Sequence, residues 1–201
     1  MPSIEVWIEY ASTYSYLTVA RIGRLAELAG VTLDWQPFLL APVREQQDLG
    51  WPFPEQSAKA AYMWRDLERR ANSLRLPYRR PSAYPVNSLP AARVAYAGQQ
   101  EGWCRRFTEE AFRLHWTEDC LIGTDQNLRE AIRAIGLDAD DVLRRANSPE
   151  NKIALKAQTP RAIERGIFGS PSFVVGRELF WGDDRLEGAI DWALRHADGA
   201  P

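Results

Sequence analysis

GIFGSPSFVVGRELFWGDDRLE, residues 166–187, decides how the rest of the chain is read. Ser170 and Pro171 stand directly before the apolar run Phe173, Val174 and Val175. Gly176 and Arg177 then mark a turn, and residues 178–181 form a second short run, so the stretch reads as a β-hairpin. Proline cannot donate to a strand ladder and is tolerated at the first residue of an edge-facing strand. X-Pro is also the linkage that readily adopts the cis form. A cis bond here would turn the Ser170 N–H and C=O away from the ladder, free to pair with an extended ligand. The plainer alternative is a trans proline that simply opens a strand. Gly182, Asp183, Asp184 and Arg185 follow, and residues 184–196 read as a closing helix.

At the other end of the chain, residues 4–8 alternate apolar and charged side chains as a strand does. Ala11, Ser12 and Thr13 break the pattern. Tyr14, Leu17, Ala20, Ile22 and Leu25 fall at helical spacing, Gly30 supplies a C-terminal stop, and residues 31–38 read as a second strand. Residues 40–57 hold Pro42, Gly50, Pro52 and Pro54 and read as loop, with at most a helical turn around 44–48. A helix is expected over 58–74 and an irregular, proline-rich stretch over 77–90. Further helices are expected over 89–100, 102–115, 127–135, 139–146 and 148–157, and a separate one opens at Thr159-Pro160 and ends at Gly166.

The order is therefore βαβ, a run of helices, then αββα. Strands at both ends must share one sheet, because two-stranded sheets are marginal alone. The first pair needs the right-handed crossover that the first helix provides. The expectation is an α/β, thioredoxin-like fold with an all-helical domain inserted after the second strand. Residues 1–40 and 158–201 would form the thioredoxin-like part and residues 41–157 the insert.

The 201 residues are 45 % hydrophobic, enough for a proper core, and the net charge of −2 gives no case for nucleic acid or an anionic membrane. The eight tryptophans are either core anchors or the lining of an aromatic pocket. No basic segment precedes an apolar stretch at the N-terminus, and no apolar run reaches membrane-spanning length. Cys104 and Cys120 have no CxxC spacing, so we expect a cytoplasmic protein without a structural disulfide. His115 and His196 lack partners at ligand spacing, and no metal is expected.

Ser12 lies between the first strand and the first helix. It reads either as a plain N-cap or as a hydroxyl that, with the helix N-terminus, holds an anion such as a thiolate supplied by a ligand. No cysteine stands at this turn, so the chain cannot run dithiol exchange there.

EVWIEYASTYSYLTVARI (5–22), the middle stretch AKAAYMWRDLERRANSLRLPYRRPSAYPVNSLPAARV (58–94) and residues 166–187 together resemble the 2-hydroxychromene-2-carboxylate isomerases, DsbA-like proteins related to the kappa-class glutathione transferases. The resemblance spans nearly the whole chain. It implies glutathione as cofactor, Ser12 as the residue that favours its thiolate, and Pro171 as a cis-proline beside Ser170, whose backbone pairs with the cysteinyl part. It implies Asp183 and Asp184 at the γ-glutamyl end. Lys59 would reach the glycyl carboxylate or an acidic substrate; otherwise it is a solvated surface lysine. Tyr14, Asn87 and Trp181 would lie near a small aromatic carboxylate substrate, although Asn87 reads first as a helix cap and core packing is the simpler account of Trp181. A homodimer is also implied. The family carries Ser-Pro-Tyr at the turn where this chain has Ser12-Thr13-Tyr14, and Thr13 would offer the sulfur a second hydroxyl. The activity implied is glutathione-dependent isomerisation of a 2-hydroxychromene-2-carboxylate, with glutathione returned unchanged. The alternatives are a kappa-type transferase or peroxidase, and a non-redox peptide holder.

Overall fold

The computed structural model describes residues 1–49 and 57–196. The elements in chain order are β1 (Ser3–Ile8), α1 (Thr13–Ala29), β2 (Thr32–Pro37), α2 (Leu40–Gln46), α3 (Ala58–Ser73), α4 (Leu89–Gln99) and α5 (Cys104–Arg113). A π-helical turn, Leu114–Glu118, continues α5, and α6 (Asp125–Ala134), α7 (Ala139–Ala146) and α8 (Pro149–Glu164) follow. The chain closes with β3 (Ser172–Val175), β4 (Glu178–Trp181), a 3₁₀ turn (Asp183–Arg185) and α9 (Leu186–Arg195). The sheet order is β2-β1-β3-β4, with β1 parallel to β2 and antiparallel to β3. This is a thioredoxin-like fold with a helical insert after the second strand, as the order of strand and helix signals implies.

Both faces of β1 are buried, which its charged positions hide in the sequence. Ile4, Val6 and Ile8 enter the main core with Leu17 and Ile22 of α1 and Leu186 and Ile190 of α9. Trp7 points to the opposite face, where Phe38, Val43 of α2, Ala162 of α8 and Val174 close a smaller cluster. Helices thus cover both faces of the sheet. The β2 edge is covered too: the Gln99 and Gln158 amides donate to the carbonyls of Trp35 (2.8 Å) and Pro37 (3.3 Å). The C-terminal half of this edge is thereby blunted against pairing with another chain.

Three expectations need correction. Residues 148–157 and 159–166 are not separate helices: α8 runs continuously through Pro160. Its proline lacks one N–H, and burial of Leu155, Gln158, Thr159 and Ala162 around it holds the helix together. The first part of the segment read as loop is likewise helical, since α2 forms over Leu40–Gln46 where Val43 is buried; Gly50, Pro52 and Pro54 lie outside the described residues. Finally, β3 is an interior strand. Pro171 is tolerated because it sits one residue ahead of the ladder, and its carbonyl still accepts the Gly182 N–H at 3.0 Å. The tryptophans divide unevenly: Trp7, Trp35, Trp64, Trp103 and Trp116 are buried, whereas Trp181 is 54 % exposed. They are mainly core anchors.

Candidate active site

Ser12 caps α1. Its backbone is extended, and its Oγ accepts the Ser15 N–H at 3.4 Å. No acidic side chain occupies the first turn of α1, so the positive end of the helix dipole is not neutralised from within. The Ser12 hydroxyl donates to the Ser170 carbonyl at 2.8 Å. This corrects the expectation that both Ser170 backbone groups are free. The carbonyl is taken, while the Ser170 N–H has no partner among the described residues. The Ser170–Pro171 bond is cis. The Ser170 Oγ accepts the Glu9 N–H at 2.8 Å and lies 2.9 Å from the Ser15 hydroxyl. The two halves of the site are therefore joined by a short network of hydroxyls and amides.

This network meets a cleft of about 220 Å³ at Ser170; Ser12 stands behind Ser170 and is not itself among the lining residues. Tyr14, Ser170, Pro171, Trp181, Asp183 and Asp184 all line it, together with Asp66, Arg70 and Gly182. Six of the residues singled out from the sequence thus meet in one place. The Tyr14 hydroxyl donates to Asp66 at 2.9 Å, and burial followed by that carboxylate pushes the phenol well above its ordinary value. Trp181 stands edge-on to Phe168 with ring centroids 4.9 Å apart. Gly169 makes room for it: a Cβ there would lie 2.1 Å from the indole nitrogen.

Asp183 and Asp184 have different environments. Asp183 is 1 % exposed, and its carboxylate meets Arg70 at 2.8 Å and Arg21 at 3.7 Å. Burial pushes it up to about 6 while the two arginines pull it back. The i,i+4 neighbours Asp66 and Arg70 do not pair as their spacing suggests; Arg70 reaches Asp183 and Asp66 takes Arg69 at 3.4 Å. Asp183 thus clamps α1 and α3 to the hairpin. Asp184 is exposed beside it, with Arg185 at 3.3 Å. Gly182, at φ 108°, sets this approach, since a Cβ there would lie 2.6 Å from an Asp184 oxygen.

Three other candidates fall elsewhere. The Thr13 hydroxyl is buried and turned to the Met63 sulfur at 3.5 Å, so it faces away from the cleft. Lys59 is exposed on the first turn of α3 and is not among the lining residues. Asn87 stands one residue before the cap position Ser88 and accepts the Leu89 N–H at 3.2 Å, a local bond at the start of α4. Sequence reasoning missed Glu9, whose carboxylate accepts the Ala11 N–H at 2.8 Å beneath the turn, and the clamp role of Arg21 and Arg70. Nothing local signals Arg21 and Arg70, because their partner lies far along the chain.

A larger hollow of about 380 Å³ lies between β2 and the start of α5. Its Arg105 is bound by Glu27 and Glu109, each at 2.8 Å, and burial pushes the Cys104 thiol up to about 12. It offers neither a thiolate nor an unspent positive charge. Among the described residues no His, Cys, Asp and Glu cluster would hold a metal, both cysteines are free, and no helix is long and apolar enough to cross a membrane.

A family model for the DSBA-like thioredoxin domain matches residues 3–190. The chain belongs to that family. This DsbA-like protein is 28 % identical over 187 residues to a 2-hydroxychromene-2-carboxylate isomerase of Sphingobium xenophagum, covering 92 % of the chain and 94 % of the relative. It is 26 % identical over 206 residues to glutathione S-transferase kappa 2 of Caenorhabditis elegans, covering 94 % and 90 %. The solved structure of a 2-hydroxychromene-2-carboxylate isomerase superposes with a TM-score of 0.81 at 26 % identity, covering 99 % of this chain and 100 % of that one.

Proposed function

We propose that this DsbA-like protein binds reduced glutathione in the cleft and isomerises 2-hydroxychromene-2-carboxylate-type substrates. The observation that carries the reading is the Ser12 hydroxyl at the unneutralised N-terminus of α1, within hydrogen-bond reach of the cis-proline loop. The residues present fit the cofactor. The Ser170 N–H is open to an extended peptide backbone, and the exposed Asp184 suits the α-ammonium of a γ-glutamyl group. Glutathione supplies a thiol whose ionised form adds to an electrophilic carbon and leaves it again. Ser12 gives up its bond to the Ser170 carbonyl and donates to the sulfur instead, which favours the charged form. The α1 N-terminus adds to that preference. Trp181 and Phe168 offer an aromatic wall at the mouth of the cleft for the substrate ring. The relatives named as isomerases support this chemistry over a general peptide groove.

A kappa-type transferase is the second reading, favoured by the kappa relative. It uses the same site but consumes glutathione, so product analysis separates the two. The primary test is calorimetric titration of reduced glutathione into wild type and Ser12→Ala. A lost hydrogen bond to a charged group lowers thiolate formation roughly tenfold to a hundredfold in the variant. No binding at millimolar glutathione sinks both readings.

A further inference from the structure

Glu9 is 8 % exposed and stands directly under the turn that carries Ser12. Three contacts tie it to the site. Its carboxylate accepts the Ala11 N–H at 2.8 Å, its carbonyl accepts the Ser12 N–H at 3.2 Å, and its own N–H donates to the Ser170 Oγ at 2.8 Å. The fourth neighbour comes from the insert, where the Ser88 hydroxyl at the start of α4 faces the carboxylate. Ser88 makes no capping bond to its own helix. No arginine, lysine or histidine pairs with Glu9 among the described residues. The neighbouring Tyr10 phenol is buried against Thr108 and Cys104 of α5, and burial raises it well above its ordinary value. Glu9 is therefore a buried carboxyl without a counter-charge among the described residues, bonded to the Ala11 N–H next to Ser12, while its backbone carries the bonds to Ser12 and Ser170.

We propose that Glu9 is the proton-exchanging partner of the thiol site, taking up a proton when a thiolate is held at the Ser12 turn. The inference rests on glutathione binding as proposed above. Negative charges on Glu9 and on a thiolate held at the same turn disfavour one another, so ionisation of the thiol is linked to protonation of Glu9. The balance is simple. The S–H bond breaks with its electron pair left on sulfur, and an O–H bond forms on Glu9. Part of the thiol proton then never reaches the buffer. Burial places the Glu9 carboxyl at about 7, which leaves it poised to act this way at neutral pH.

The test counts protons against thiolate. Glutathione is titrated near pH 7 in buffers of different ionisation enthalpy, while the thiolate formed is read from its ultraviolet absorbance. Wild type should release about half a proton per thiolate, and Glu9→Gln about one, because the amide cannot take a proton up. Equal ratios in the two proteins overturn the role of Glu9 while leaving glutathione activation standing. Absence of thiolate in both overturns the activation reading itself, and the Glu9 role with it. If Glu9→Gln does not fold, difference infrared spectroscopy on wild type decides. A carboxylic-acid band should grow with glutathione and stay absent with S-methylglutathione, and no change with either overturns the proposal.

Discussion

Asp183, which lines the cleft, and Glu9, which lies beneath the turn before α1, are both buried carboxyls, and the protein treats them differently. Asp183 is met by Arg70 and Arg21; burial raises it only to about 6, so at neutral pH it is mostly ionised and locked in an ion cluster. Glu9 is met by amides and a hydroxyl alone, and burial raises it to about 7. Burial raises both groups by a similar amount, and what separates them is company: Asp183 has two cations to pair with, and Glu9 has amides and a hydroxyl. One carboxylate is structural because its charge is matched. The other is free to titrate because its charge is not.

The largest expected effect concerns Glu9. Its folded value lies above the 4.5 of the unfolded chain, so the folded protein holds the extra proton between those values. Stability contributed by this group is present at low pH and is lost as pH rises toward about 7. In urea unfolding from about pH 4.5 to about pH 8, Glu9→Gln should gain on wild type by roughly 3 kcal/mol. A difference that does not move with pH breaks the contrast.

Next comes Arg70→Ala, which leaves Asp183 with Arg21 alone at 3.7 Å. Removing one partner of a buried pair is strongly destabilising, but the second arginine and the partial exposure of Arg70 reduce the cost here to about 2 kcal/mol. A loss below about 0.5 kcal/mol would mean that Asp183 is not held by its cations. The smallest effect is at Tyr14→Phe, which removes one hydrogen bond to the partly exposed Asp66 and should cost about 1 kcal/mol. Chemical denaturation measures both, and glutathione affinity measured alongside shows which side of the cleft the ligand needs.

Much of this was legible along the chain. Ser12 before a helical repeat, Gly30 after it, and Ser170-Pro171 before a short apolar run each carry a local signal, and the βαβ and ββα ends follow from period and turn chemistry. The Pro160 position misled because a proline preceded by threonine reads as a helix start, and only packing against both clusters carries α8 through it. Thr13 misled because a hydroxyl at a turn says nothing about which way it points. Met63, fifty positions away, fixes it inward.

The sequence by itself determined the strand order with its βαβ and ββα ends, the serine at the anion-friendly end of α1, and the absence of a cysteine there. Those features depend on neighbours a few residues apart. Only the tertiary structure decided that Asp183 is spent on Arg21 and Arg70, that Ser12 donates to Ser170, and that Glu9 meets no cation among the described residues. Each of these depends on groups brought together across the chain, and a charge buried by folding is matched or left unmatched only when the fold is complete.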